Sequence, residues 1–298
     1  MKNHINFENW IIDRVSRLDQ PFARDSVQMV DFLRELERNI PDTYIWKRTD
    51  VDGFNMKSEQ LKYLGPVAIN RIYWEDMARN IEAWAILNIW RGTDLLDNTI
   101  DSLNRSRLIS GAVSARSLLE LAVVIIIESN NLLATTKNIP KSNNNNQIII
   151  SEELEKTMLR LIGGTRREGA EEYLVQKNIL TYMKRCAKNP NASELLDIYD
   201  YLCEVAHPNV EGYARFQSNL GWTDGMDTTV SMSRDMDISN SQAGNRFLEM
   251  VLWSIGWSAV CLRNGFHLLQ QTIYEIDERF DIKSSLITIK DPFMNDIE

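Results

Sequence analysis

The feature that most constrains the fold is a long apolar seam near the C-terminal end of the sequence. From Leu248 to Phe280, apolar residues follow one another at alternating spacings of four and three, which places them on one face of a single α-helix. A helix of that length measures roughly 50 Å. It is either the central strut of a helical bundle or one half of a dimer seam. The seam residues are Leu248, Leu252, Ile255, Ala259, Leu262, Phe266, Leu269, Ile273, Ile276 and Phe280.

Two other long apolar patterns also have helical spacing, one over about residues 66–100 and one over about residues 103–133. Shorter helices are predicted to begin after Ser151, after Thr165 and after Ser193. The second of these has the capping-box spacing Thr165-x-x-Glu168. The sequence therefore predicts an all-α fold, a bundle of long helices.

One irregular excursion interrupts the helical pattern near residues 217–240. It is rich in Gly, Asp, Ser and Thr, and within it only Thr228–Ser233 is typical of a short strand. A connection this long is either a binding loop or a surface excursion without a ligand. No repeat or composition shift marks a boundary, so we predict one domain over residues 1–298. Within it, a helical layer at 1–52 precedes the main bundle at 53–298.

The net charge and the cysteine spacing limit the class of protein. The chain has 33 basic and 42 acidic residues and a net charge of −9, which argues against broad non-specific binding to nucleic acid. Cys186, Cys203 and Cys261 are far apart and form no C-x-x-C motif, so a reducing compartment is expected. The N-terminal residues have no basic region followed by an apolar run and thus no signal-peptide pattern. We predict a cytoplasmic location.

Two apolar stretches of the sequence have the composition of membrane spans but not the length. Leu118–Ile127 contains Glu120, and Met250–Leu262 has 13 uncharged residues between Glu249 and Arg263. Both are shorter than the roughly 20 residues that a transmembrane helix needs. They predict buried core helices and no membrane partner.

His207 is the histidine with the most distinctive surroundings. It ends a predicted helix on which Asp197, Asp200 and Glu204 precede it at spacings of three, four and three, and Pro208 prevents the helix from continuing. A histidine in the last turn interacts well with the negative end of the helix. Alternatively, Glu204 and His207 form a metal-ligand pair, as in di-iron bundles. Those sites need a second Glu-x-x-His, which this sequence lacks, so we predict no metal and no cofactor.

Arg116 and Glu120 form the second distinctive feature. Glu120 is the one charged residue of Leu118–Ile127, and Arg116 lies one turn earlier on the same helix face. A carboxylate in such a stretch is costly to bury unless it is paired. The pair is either a brace between helices or part of a pocket in which Arg116, Glu120 and His207 meet. Asn209 could enter the same pocket.

Two short segments resemble helical bacterial proteins that are grouped near the HEPN superfamily. They are Ala115–Glu120, inside one predicted helix, and Cys203–Asn209, at the end of another. Members of that superfamily occur in toxin–antitoxin, abortive-infection and antiviral defence systems. The resemblance covers about residues 103–280. It implies a helical protein of such a system, either a ribonuclease or a non-catalytic binding module.

The ribonuclease members have an arginine, four to six intervening residues and then the catalytic histidine. His207 matches that histidine, but positions 200–202 hold Asp200, Tyr201 and Leu202. The resemblance therefore implies cleavage of RNA only if Arg116 takes the place of the arginine from another helix.

We expect a helical interaction module of a prokaryotic antiviral defence or toxin–antitoxin system. It would bind a protein partner, or a second copy of itself, through the 248–280 helix. The first alternative is a metal-independent ribonuclease, with RNA as its ligand, His207 as general acid/base and Arg116 stabilising the phosphorane charge. A third is a metal-dependent oxidase that uses Glu120, Glu204 and His207. No G-x-S-x-G, H-E-x-x-H or Walker-type motif supports other enzyme classes. The candidate site residues are His207, Arg116, Glu120, Glu204 and Asn209.

Overall fold

The computed structural model describes residues 4–18, 20–46, 56, 59, 63, 65–140, 147–208, 212–213, 217–222, 228–232 and 242–282. The elements named below all lie within these residues. In chain order they are α1 (Asn9–Val15), α2 (Pro21–Asn39), α3 (Pro66–Asn104), α4 (Leu108–Lys137), α5 (Glu152–Gly163), α6 (Ile179–Cys186), α7 (Leu195–Ala206), β1 (Gln217–Trp222), β2 (Thr228–Met232) and α8 (Gln242–Phe280).

The predicted all-α fold is confirmed. α3, α4 and α8 have 39, 30 and 39 residues, and α8 contains the whole predicted seam. α4 begins at Leu108 rather than near residue 103. The reason is local: Ser106 has a φ of 54°, and the backbone N–H of Arg107 donates to the carbonyl of Ser102 at 2.7 Å. This left-handed turn ends α3.

The chain packs as two compact units. Unit 1 consists of residues 1–35, 91–124 and 179–262, and unit 2 of residues 36–90, 125–178 and 263–298. α3, α4 and α8 each contribute one segment to each unit. Neither unit is therefore a contiguous piece of sequence, and one domain over residues 1–298 stays a prediction.

The core of unit 1 surrounds the first half of α8. Every residue from Val251 to Ala259 is buried, so this segment has no solvent-exposed face. Gly256 allows α2 to come close, because a Cβ at Gly256 would lie 2.6 Å from the Cβ of Ser26. The first half of α8 is a strut around which the other helices of the unit pack.

The core of unit 2 joins α3 to the second half of α8 and to the irregular segment 147–150, which precedes α5. The rings of Trp74 and Phe280 are stacked, with centroids 4.5 Å apart. The side-chain amide of Asn70 donates to the carbonyl of Gln147 at 3.0 Å and accepts from the backbone N–H of Ile149 at 2.7 Å. The Trp74 indole N–H donates to the Ile149 carbonyl at 3.0 Å. These bonds satisfy backbone groups of residues 147–149, which belong to no helix or strand in the described part of the chain.

The apolar seam of α8 is covered by the chain itself. Its residues are buried, except Ile273, which is half-buried. Of the two roles that the spacing allows, α8 has that of a bundle strut. A partner or a second copy that contacts the 248–280 helix would have to use outward side chains, such as the exposed Gln271, Tyr274 and Glu278.

The prediction of a helix after Thr165 is wrong. Thr165 instead forms a β-bridge with Val175, and a 3-10 turn occupies Glu172–Leu174. Gly169 has a φ of 81°, which no right-handed helix accommodates. A capping box does not start a helix unless an apolar face follows that can be buried, and residues 166–172 provide none.

The excursion near residues 217–240 contains two strands, of which one was predicted. β2 matches the predicted strand, and it pairs antiparallel with β1, with Leu220 opposite Val230. β1 was not predicted because its sequence, QSNLGW, contains Asn and Gly, two residues that are rare in strands. The remainder of the excursion lies outside the described residues.

In the described part of the chain, α4 alone is long and apolar enough to cross a membrane. Half of its most apolar window is buried inside the fold. A buried core helix passes the same test of length and composition. Within Leu118–Ile127, seven of the ten residues are buried.

Candidate functional site

Arg116 and Glu120 form a compact cluster with Tyr199 in unit 1. Arg116 Nε donates to Glu120 Oε1 at 3.0 Å, as their spacing on one face of α4 predicts. The Tyr199 hydroxyl, on α7, donates to the same oxygen at 2.9 Å. The Arg116 guanidinium carbon lies 5.6 Å from the centroid of the Tyr199 ring, within range of a cation–π contact. The carboxylate and the ring together fix the orientation of the guanidinium.

The protonation states follow from this packing. Burial raises the pKa of Tyr199, and the hydrogen bond to Glu120 raises it further, so the phenol keeps its proton. Burial alone would lower the pKa of Arg116, but the hydrogen bond to Glu120 and the charge interactions with Glu120, Cys203 and Tyr199 together outweigh burial, so the pKa is raised. Burial also raises the pKa of the Cys203 thiol, an effect that Arg116 partly offsets. The cluster therefore holds a cation and neutral Tyr and Cys side chains at neutral pH.

The Arg116–Glu120 pair is partly exposed, whereas Tyr199 is buried beneath it. The side chains of Arg116 and Glu120 are 31% and 30% exposed, so the pair is not the deeply buried brace that the apolar stretch suggested. Among the described residues, Nε is the one guanidinium nitrogen of Arg116 that forms a hydrogen bond. Its terminal nitrogens are thus held in place and still have N–H donors for further hydrogen bonds. Val113, one turn earlier on α4, is a 45% exposed apolar residue.

His207 lies at the end of α7, as predicted. It is the C-cap residue, with extended backbone and its N–H donating to the Cys203 carbonyl at 3.0 Å, and its side chain is exposed. No contact within the described residues joins that side chain to Arg116 or Glu120. Arg116 is anchored over Tyr199, and His207 follows Tyr199 along α7. The axial rise of the helix between Tyr199 and His207 is about 12 Å. A pocket shared by Arg116 and His207 stays a prediction.

The other predicted candidates are placed as follows. Glu204 is exposed one turn before His207, in line with the exposed Asp197 and Asp200. Asn209 lies outside the described residues. No group of three or more His, Cys, Asp or Glu side chains that could hold a metal ion is found where the structure is described. Glu120, Glu204 and His207 thus do not form the ligand set that the oxidase alternative requires.

Sequence reasoning missed two partners. Tyr199 is one of them, because its hydroxyl bond to Glu120 joins residues 79 positions apart and leaves no local signal in the sequence. Glu128 was also missed, although it follows directly after the apolar run that ends at Ile127. An acidic residue at the end of such a run, on a helix that must be buried, is the signal that could have identified it.

Comparisons with protein-family models, with curated proteins and with solved structures gave no match to this chain. The fold and the site together define a helical-bundle protein with an Arg–Glu–Tyr cluster whose arginine and glutamate are partly exposed. The HEPN-like resemblance stays a prediction from the two short segments.

Proposed function

We propose that the protein is a helical interaction module that binds a basic surface of a protein partner. The binding surface is the outward face of α7 together with the neighbouring Arg116 cluster on α4. The observation that carries the proposal is the row of exposed carboxylates on α7, which the structure places on the same helix that anchors Arg116 through Tyr199.

The row consists of Asp197, Asp200 and Glu204, spaced along one side of α7 and all exposed. Three like charges within three helical turns create a negative potential that attracts a cationic surface and accelerates its encounter. The same charges repel an RNA backbone. Of the two ligand classes considered for this face, a basic protein surface therefore fits better than RNA.

Arg116 supplies the directional contact. Arginine and tyrosine are enriched among the residues that dominate binding energy, and fixing an arginine before binding reduces the entropy lost on association. Glu120 and Tyr199 fix Arg116 in this way. Its terminal nitrogens can donate to a carbonyl or carboxylate of the partner, while the row of carboxylates on α7 engages basic side chains.

The proposed setting is a prokaryotic antiviral defence or toxin–antitoxin system, which follows from the HEPN-like resemblance. A cytoplasmic location is part of the proposal, and the free thiols of Cys186, Cys203 and Cys261 support it. Self-association through the outward side of α8 is a further proposal, supported by Tyr274, which is 64% exposed.

The test compares the wild type with two triple variants of equal charge. The first is Asp197→Asn/Asp200→Asn/Glu204→Gln, and the matched control is Glu168→Gln/Glu171→Gln/Glu172→Gln, three exposed acids of unit 2. Each purified protein is used to capture partners from cells of the source organism, and any partner found is purified and titrated. We expect the control to bind like the wild type. The α7 variant should bind at least tenfold more weakly at low salt, with the difference shrinking as salt rises.

Equal affinity of the α7 variant and the control would contradict the proposed surface. A protein that light scattering shows to be monomeric and that captures no partner would contradict the interaction module itself. Capture abolished by Tyr274→Ala but not by the α7 variant would move the interface to α8.

The ribonuclease alternative has its own experiment. Labelled total RNA is incubated with the wild type and with His207→Ala in the presence of a chelator. Our proposal expects no cleavage by either protein. Cleavage that is lost in His207→Ala would replace the proposal with a metal-independent ribonuclease and place His207 in its active site.

A further inference from the structure

A second charged cluster lines a pocket in unit 2. The pocket has a volume of about 380 Å³ and lies between α4 and α5, with Lys177 at its edge. Ligand sites in proteins commonly have volumes of about 300–1,000 Å³, so the pocket is large enough for a small organic molecule. None of its residues belongs to the Arg116 cluster.

Glu128 forms the floor of this pocket. Its side chain is 1% exposed, yet it is a carboxylate, and such a group is stable in the interior only with several donors. Lys177 Nζ donates to Oε1 at 3.0 Å, and Asn131 Nδ2 donates to Oε2 at 3.0 Å. Arg160 Nη2 lies 3.6 Å from Oε1, close enough for an ion pair but too far for a good hydrogen bond.

Arg160 is the under-satisfied member of the cluster. Its side chain is 18% exposed, and its Nε is buried without a hydrogen-bond partner. In the described part of the chain, no side-chain nitrogen of Arg160 makes a hydrogen bond, although a guanidinium has five N–H donors in a fixed fork. A planar oxyanion offers two parallel acceptors, which match the unused donors of this shielded guanidinium.

The charge and the walls of the pocket narrow the class of ligand. At the buried end of the pocket, the two cations Arg160 and Lys177 lie against the single carboxylate of Glu128, which leaves one net positive charge there. The exposed Lys156 is already paired with Glu152. A monoanion balances that charge, whereas a phosphate monoester close to −2 would be repelled by Glu128. Apolar wall surface comes from two leucines, Leu132 and Leu154, and hydroxyls come from two threonines, Thr135 and Thr157.

We propose that this pocket binds a small organic carboxylate. The carboxylate forms a bidentate pair with Arg160 and a second contact with Lys177, and the apolar part of the ligand lies against Leu132 and Leu154. Glu128 acts as a positioning residue, since it holds both cations at the floor and limits the pocket to singly charged ligands.

The experiment uses 4-fluorobenzoate as a probe and the whole protein, with binding followed by the ¹⁹F line width and chemical shift. The variants are Arg160→Gln and, as a matched control, Arg167→Gln, which removes an exposed cation of the same unit outside the pocket. Arg160→Lys serves as a second variant that keeps the charge but not the fork. Circular dichroism of each variant establishes that it is folded.

We expect saturable binding by the wild type and by Arg167→Gln. Loss of a charge-assisted pair should weaken binding about tenfold or more in Arg160→Gln, and less in Arg160→Lys. Inorganic phosphate should compete poorly with the probe in the wild type and better in Glu128→Gln, because the repelling carboxylate is gone.

Three results would overturn the proposal. One is the absence of saturable binding by the wild type up to about 10 mM probe, the range of very weak complexes. Another is binding by Arg160→Gln and Arg160→Lys that equals the wild type. The last is phosphate that competes as well as unlabelled benzoate in the wild type, which would assign the pocket to phosphate compounds instead. If the probe does not bind, the cluster around Glu128 is a structural brace, and its loss lowers only the stability of the fold.

Discussion

Replacing Gly256 with alanine tests the close packing of α8 against α2, on which the core of unit 1 depends. A Cβ at position 256 would lie 2.6 Å from the Cβ and 2.9 Å from the Cα of Ser26. Real Cβ contacts are not this short, so one helix must move. Because a backbone atom of Ser26 is among the obstacles, a change of rotamer cannot relieve the clash.

Two terms of opposite sign determine the magnitude. Alanine stabilises a helix interior over glycine by about 1 kcal/mol. Overpacking a close-packed core costs about 1–3 kcal/mol, and a clash with backbone belongs at the upper end of that range. We therefore expect Gly256→Ala to lower the free energy of unfolding by about 1–2 kcal/mol.

The assay is urea unfolding followed by tryptophan fluorescence. Trp253 and Trp257 lie one turn before Gly256 and one residue after it and are 4% and 8% exposed, so their environment changes when this part of the core unfolds. The control is Gly163→Ala at the end of α5, where a Cβ would meet nothing within 4 Å. Its effect should stay within about 0.5 kcal/mol of zero.

A double-mutant cycle with Ser26→Gly separates the clash from other effects. Ser26→Gly removes the obstructing Cβ, so Gly256→Ala should cost at least about 1 kcal/mol less in that background. If Gly256→Ala costs the same in both backgrounds, or if it stabilises the protein, the reasoning about this contact is refuted.

Two further predictions concern ionisation. Burial, with a smaller contribution from Glu278, raises the pKa of Asp277 from 3.8 to about 6. The folded state then binds more protons than the unfolded state between those values, so stability falls as pH rises through that window and stays lower above it. After allowance for solvent screening, Asp277→Asn should raise the free energy of unfolding by about 1 kcal/mol at neutral pH and leave it unchanged near pH 3. The measurement is the urea midpoint of both proteins across this pH range. A difference between them that does not depend on pH would contradict the prediction. Burial also raises the pKa of the Cys186 thiol to about 11 and raises those of Cys203 and Cys261. Iodoacetamide at neutral pH should therefore label the folded protein slowly and the urea-unfolded protein quickly, as measured by mass spectrometry, and rapid labelling of the folded protein would count against these pKa shifts.

The long helices could be predicted because their signal is local. The spacing from Leu248 to Phe280 places the seam on one face whatever the seam then contacts, and α8 forms as expected. The pair of Arg116 and Glu120 was predictable for the same reason, since residues four apart on a helix are neighbours. Thr165 shows the limit of local signals: a capping sequence without an apolar face did not start a helix.

The partners of the charged residues could not be predicted in this way. Tyr199 reaches Glu120 across 79 residues and Lys177 reaches Glu128 across 49, and each contact exists only because separate helices meet. The sequence gives the spacing of residues on each helix but not which helix lies beside it.

The sequence by itself determined the helical class, the three long helices and the side of α8 that is apolar, because backbone hydrogen bonding and side-chain periodicity act within a few residues. Tertiary structure alone decided that the seam is covered by the same chain and that Arg116 is held at the surface by Tyr199. It also decided that Glu128 and Arg160 face one pocket. The physical reason is that burial and electrostatic pairing depend on which helix faces meet, and those meetings join residues that are far apart in the chain.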